Sequence, residues 1–365
     1  MPEFFRGQEL SGLFYEEAVA PILDEALPGL RHSAALIGYG SEVLGYDTAR
    51  STDHEWGPRL LLFVSEEDHA AFHDSIVGVL AEWLPATFRG YSTHFGPPDA
   101  EGVRLPQARE TGPIAHKVEV YVPGRWFEAW LGIDPAAGMT VVDWLTLPQQ
   151  KLLEVTAGRI YHDGLGEIEP RREALAWYPR DVWLNLLGCQ WGRIGEQEAF
   201  VGRTGEVGDE IGSRLVAEAL VRDLMRLCFL MERRYAPYTK WFGTAFDRLD
   251  CAPAMGPILG RVLAAATWRE REAALCLAYE LVAQRHNALG VTPPLDVGTS
   301  LYHSRPFRVI GAPRFVAALG EEIEDAAVRA IVERVGWMGG VDQVTDNVGV
   351  LSNPARYRKL RALYE

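Results

Sequence analysis

Apolar positions follow two rhythms along the chain. From Leu10 to Leu30 they recur at helical spacing, and Ala34-Ala35-Leu36-Ile37-Gly38 then reads as a strand. Arg59-Leu60-Leu61-Leu62-Phe63-Val64 is a continuous apolar run of strand length, and Ser65 with Asp68 three residues on predicts a capped helix after it. Phe72, Ile76, Val79, Leu80 and Trp83 carry that helix at the spacing of one buried face, with Pro85 as its stop. Gly90, Gly96, Pro97, Pro98, Gly102 and Pro106 mark the stretch from Phe88 to Pro113 as loop, of the kind that often walls a substrate site. Lys117-Val118-Glu119-Val120-Tyr121-Val122 alternates over strand length and puts Glu119 on one face. Helical spacing returns from Val141 to Glu154, and Ala157 to Asp163 is a short closing strand.

Beyond Gly166 the rhythm is helical: Asp181 to Arg193, Gly208 to Met231, Pro257 to Thr267, Glu270 to Ala288 and Asp325 to Val335, with no convincing sheet. The expected class is therefore α+β, a mixed sheet with flanking helices over residues 1–168 and an all-α helical bundle over 169–365. A length of 365 residues is more than one core normally organises, which agrees with two domains. Mean hydropathy of −0.07 and the lack of a long apolar run argue against a membrane span. The opening MPEFFRGQEL has no signal-peptide pattern, so a cytoplasmic location is expected. With 36 Lys plus Arg against 50 Asp plus Glu, the formal charge of −14 works against a nucleic-acid partner and suits cationic or metal-bound substrates. Cys189, Cys228, Cys251 and Cys276 lie far apart, which fits neither a disulfide framework nor a zinc knuckle and predicts reduced core thiols.

The chemistry concentrates where Gly38-Tyr39-Gly40-Ser41 is followed by Thr52-Asp53-His54-Glu55-Trp56 and then the Arg59 strand. Gly40 allows close backbone approach to a bound group, and Ser41 is placed to cap a short helix whose first amides would face a phosphate. Asp53 and Glu55, two apart at a strand start, would project from the same face and share divalent cations. Glu119, costly to bury alone in its apolar strand, could join the same metals from a neighbouring strand.

This order resembles the nucleotidyltransferase superfamily of the DNA polymerase beta type, whose signature is hydrophobic-Gly-Ser, a spacer, Asp-x-Asp or Asp-x-Glu, and a third acid on a later strand. Gly40, Ser41, Asp53, Glu55 and Glu119 match those places. Gly158 to Asp163 looks like the last strand of that fold, and the helical half is similar to the C-terminal domain of kanamycin nucleotidyltransferase-like proteins. More closely, GSEVLGYDTARSTDHEWGPRL, LPQQKLLEVTAGRIYHDGLGE and LCFLMERRYAPYTKWFGTAF resemble an uncharacterised bacterial family with this fold. The resemblance implies nucleotide binding at Gly40 and Ser41, and catalysis on two magnesium ions held by Asp53, Glu55 and Glu119. A nucleoside triphosphate would donate its monophosphate to a hydroxyl on a small molecule or protein, with pyrophosphate leaving. The acidic surface favours a cationic acceptor only weakly. His54, where the superfamily has an apolar residue, and Glu55, where aspartate is commoner, are departures that suit a rival reading. In that reading an inactive member of the fold binds nucleotide or a protein partner. A phosphohydrolase using water as acceptor is a third possibility.

In the helical half, Arg203, Glu206 and Asp209 could line the acceptor side, against the plainer reading of a solvated loop with a helix cap. Tyr235 and Lys240 beside Trp241 could hold a base or sugar, against core packing with a snorkelling lysine. His69 and His73 have zinc spacing but lack a third ligand, so an exposed titrating pair is expected. The basic end from Arg356 to Arg361 reads as an amphipathic terminal helix.

Overall fold

The computed structural model describes residues 4–52, 55–100 and 102–365, which form two compact units. The first comprises residues up to Gly138 together with Lys151–Ala176; the second comprises Met139–Gln150 and Trp177–Glu365. The expected α+β class is what forms.

The first unit opens with α1 (Gly7–Phe14), a wide turn at Tyr15–Val19, and α2 (Ala20–Ala26). Then come β1 (His32–Leu36), β2 (Arg59–Val64), α3 (Glu66–Trp83), the small ribbon of β3 (Thr87–Phe88) and β4 (Tyr91–Ser92), β5 (Lys117–Tyr121) and α4 (Pro123–Leu131). After α5 (Val141–Thr146), which belongs to the second unit, α6 (Gln149–Thr156) leads back into the first through β6 (Arg159–Asp163) and α7 (Ile168–Ala174). The main sheet has the order β5-β2-β1-β6 and is mixed: β2 and β5 are parallel, while β1 is antiparallel to both β2 and β6. Every residue of β1 and β2 is buried, the mark of strands covered on both faces, which explains their unbroken apolar runs. Register pairs Arg59 with Lys117 and Leu61 with Glu119. Leu60, Leu62, Val64, Val118 and Val120 therefore face one core with Leu10, Phe14, Ile76 and Leu80. Arg59, Phe63, Lys117, Glu119 and Tyr121 take the other face, where Trp126 of α4 meets Phe63 edge-on at 5.8 Å.

Three local expectations change. Ser65 caps α3 through Asp68 N at 3.0 Å as expected, and Ile76 and Leu80 are buried, but Phe72 and Trp83 stay exposed. The helix expected after Ser41 is a turn, closed by Tyr46 N donating to the Ser41 carbonyl at 2.8 Å. Pro123-Gly124, read as a strand end, starts α4 with proline in its first turn.

The second unit is built from α8 (Arg180–Gln197), α9 (Phe200–Glu206), α10 (Glu210–Met231), α11 (Thr239–Phe246), α12 (Ala252–Ala264), α13 (Trp268–Ala288), α14 (Pro313–Glu321) and α15 (Ala326–Val335). α8 packs on α14 and α10, and α12 and α10 pack on α13. One two-stranded ribbon, Ser300–Leu301 with Arg308–Val309, interrupts a half expected to be wholly helical. All four cysteines are free and buried. Among the described residues no helix is long and apolar enough to cross a membrane.

Candidate functional site

Beyond β1 the backbone passes Tyr39 and Gly40 at the sheet face that carries Lys117 and Glu119. Gly40 has φ +124°, and a Cβ there would lie 2.6 Å from both Glu42 carboxylate oxygens and from Arg59 Nη2. The close approach that Gly40 permits is thus to a buried ion pair within the chain. Arg59 donates through Nε and Nη2 to Glu42 Oε1, at 2.9 and 2.5 Å, and through Nη2 to the Tyr39 carbonyl at 2.6 Å. Both side chains are almost wholly buried. Burial alone would lower the Arg59 pKa, but Glu42, Tyr39 and Glu119 together outweigh it and the guanidinium stays charged.

Beside this pair sits the cluster the acids belong to. Lys117 Nζ donates to Tyr39 Oη at 2.9 Å and to Glu119 Oε1 at 3.0 Å, and lies 3.1 Å from Glu55 Oε1. Glu55 also accepts from Arg104 N at 3.2 Å and from the Tyr39 hydroxyl. Burial works against the Glu55 carboxylate, yet the bonds from Tyr39 and Lys117 hold its pKa below the ordinary value. Lys117, only 6% exposed, is itself pushed upward, its buried position being outweighed by Tyr39 and Glu119. Tyr121 reaches Glu119 Oε2 at 3.5 Å, and burial, followed by the Glu119 charge, pushes its hydroxyl up to about 12. An aromatic wall closes one side: Trp130 stacks on Trp126 at 5.5 Å and stands 6.1 Å from Tyr39, with Lys151 Nζ 3.9 Å over its ring. The long loop arrives at Glu55 through Arg104, whose side chain ties the Gly96, Phe95 and Ala115 carbonyls together.

The structure brings Gly40, Glu55 and Glu119 to one sheet face, with Ser41 next to Gly40 in the chain. Glu55 gets there from a bend at φ +49° rather than from a strand, since β2 begins only at Arg59. The same-face argument for Asp53 and Glu55 therefore does not apply to Glu55, and Asp53 and His54 lie outside the described residues. Glu55 and Glu119 offer hard carboxylate oxygens to a single point, the donor chemistry of magnesium. Among the described residues no group of three or more His, Cys, Asp or Glu is arranged for a metal ion. Sequence reasoning missed Lys117, Tyr39, Arg59 and Glu42. Lys117 was marked by the alternation that selected Glu119, since residues two apart on a strand share a face.

The residues weighed for an acceptor side fall into two groups. Asp209 caps α10, accepting from Gly212 N at 2.7 Å; Arg203 lies exposed over Phe200, and Glu206 pairs with Arg305 at 3.5 Å. Tyr235 is buried against Trp177 and Tyr178, and Lys240 is exposed beside Trp241. Asp209 precedes and Tyr235 follows a 22-residue helix, a span of about 33 Å, so the two groups cannot line one small-molecule site. The His69 and His73 rings lie 4.8 Å apart on α3, tilted by 40°, with His73 2.9 Å from Asp74.

Residues 144–242 match the family model described as a domain of unknown function (DUF4037). That stretch includes the second and most of the third segment carrying the resemblance to an uncharacterised family. No curated protein matches the chain. Solved structures similar to it include a nucleotidyltransferase-like protein from Exiguobacterium sibiricum 255-15, at 13% identity and a TM-score of 0.32, covering 88% of this chain and 91% of that one.

Proposed function

We propose that the chain is a magnesium-dependent nucleotidyltransferase that moves a nucleoside monophosphate from a nucleoside triphosphate to a hydroxyl of a small-molecule or protein acceptor, releasing pyrophosphate. The observation that carries this reading is the meeting of Glu55 and Glu119 at one point on the sheet face beside Tyr39 and Gly40. It joins the resemblance of Gly40, Ser41, Asp53, Glu55 and Glu119 to the polymerase-beta type of nucleotidyltransferase, with a C-terminal half like that of kanamycin nucleotidyltransferase. Asp53, Glu55 and Glu119 would hold the ions. Bound magnesium would neutralise the triphosphate and lower the acceptor's pKa. Ser41 and its neighbouring amides would position the outer phosphates, and Glu119, or a carboxylate of the helical half, would take the hydroxyl proton. The acceptor oxygen bonds to the α-phosphorus as the bridge to the β-phosphate breaks.

One observation favours the second reading, an inactive nucleotide- or partner-binding protein: the cation between the two acids is a lysine of the chain itself. Incubation with α-labelled triphosphates, magnesium and a panel of hydroxyl acceptors separates the cases. A labelled acceptor or self-labelling, lost in Glu119→Gln, supports transfer. Nucleotide bound without turnover supports the inactive reading, and free labelled nucleotide alone supports a phosphohydrolase.

A further inference from the structure

We infer that Lys117 is the resident cation of this site: it holds Glu55 and Glu119 together in the metal-free protein and yields its place to a divalent ion only when nucleotide phosphates take up its ammonium group. The inference rests on the nucleotidyltransferase reading and adds an order of assembly to it. An ammonium group has three donors, and Lys117 Nζ has three acceptors at 2.9, 3.0 and 3.1 Å: the Tyr39 hydroxyl, Glu119 and Glu55. A buried cation is stable only when paired in this way. A divalent ion bound between the same two oxygens would meet that ammonium at short range, so the lysine head must leave first. Its backbone is fixed by pairing with Arg59 in the sheet, but four side-chain torsions let the head move without the strand. Arg59 cannot substitute, because Glu42 and the Tyr39 carbonyl already hold it. Once displaced, Lys117 needs another anion. The triphosphate that brings the metal supplies one, so each ligand strengthens the binding of the other.

The test is Mn2+ titration of the full-length protein, followed by the electron paramagnetic resonance of free Mn2+. Lys117→Met is expected to bind Mn2+ alone about tenfold tighter than wild type or more, with Lys117→Arg like wild type. The gain should vanish in Lys117→Met/Glu119→Gln. Equal or weaker Mn2+ binding by a folded Lys117→Met overturns the inference. A readout on the wild-type protein covers poor folding of that variant. The Lys117 15Nζ resonance, assigned by its loss in Lys117→Arg, should shift with magnesium plus an α,β-methylene triphosphate and stay in place with magnesium alone. A shift with magnesium alone, or none with both present at saturation, contradicts the exchange. Equal Mn2+ affinities alongside intact nucleotidyl transfer reject this inference only, whereas lysine exchange without transfer of label rejects the functional reading.

Discussion

In the helical unit Glu198 accepts from the amides of Ile310, Gly311 and Ala312 at 2.7, 2.9 and 3.2 Å, and Asp181 from those of Glu324 and Asp325. Glu232 likewise accepts from Asp250 N and Cys251 N and pairs with Arg285. In the sheet unit Glu55 and Glu119 meet at a lysine head, with a single backbone amide, that of Arg104, on Glu55. Backbone amides cannot leave their carboxylates without local unfolding, whereas a lysine head can rotate away. The difference separates acids that several amides fix in the architecture from Glu119, held by the Lys117 and Tyr121 side chains, and Glu55, held by one amide and by side chains able to change partners.

The largest effect that would sharpen this contrast is at Glu198. Glu198→Ala orphans two buried amides and a half-buried one and should cost about 4 kcal/mol of stability in denaturant unfolding, with nucleotide binding per folded molecule unchanged. Next is acid. His286 Nδ1 accepts from Trp191 Nε1 at 3.2 Å, and its Nε2 meets Thr292 Oγ1 at 3.1 Å, an arrangement for the neutral ring. Burial lowers its pKa from 6.5 to about 4. A depressed folded value gives stability that is complete above pH 6.5 and is lost as pH falls towards 4. The loss should reach about 3 kcal/mol, visible in melts across that range and reduced in His286→Gln. Gly40→Ala, which forces a methyl onto the Arg59–Glu42 pair at positive φ, should cost about 2 kcal/mol by the same melts. Smallest is Lys240→Ala at its exposed position, expected to stay within about 0.5 kcal/mol and to leave nucleotide binding unaltered.

Where burial is two-sided or a cap is local, the sequence was readable. β2 follows its apolar run residue for residue, and Ser65 caps α3 at the expected place. Tertiary geometry hid the rest. Periodicity marks which positions of α3 share a face, but not which of them the rest of the chain covers: Ile76 and Leu80 are buried while Phe72 and Trp83 stay exposed. A Pro-Gly pair serves a turn or a helix start equally well, and in α4 packing of Trp126 on Phe63 accompanies the helix. Within the site, Glu119 was visible as an acid in an apolar strand. Lys117 escaped notice because a lysine at a strand end is ordinarily solvated, and its partners come from residues 62 and 78 positions earlier. The acceptor-side residues looked adjacent as clusters in sequence, but α10 intervenes as a rigid spacer.

The central claim is that Glu55 and Glu119 belong to a metal-dependent nucleotide site. Calorimetric titration of the four common ribonucleoside triphosphates with magnesium into wild type, Asp53→Ala and Glu119→Gln tests it most directly. The account predicts magnesium-dependent binding of at least one triphosphate, weakened about a hundredfold or more in both folded variants. Binding that is unchanged in both variants, or absent from the wild type for all four triphosphates, would contradict it.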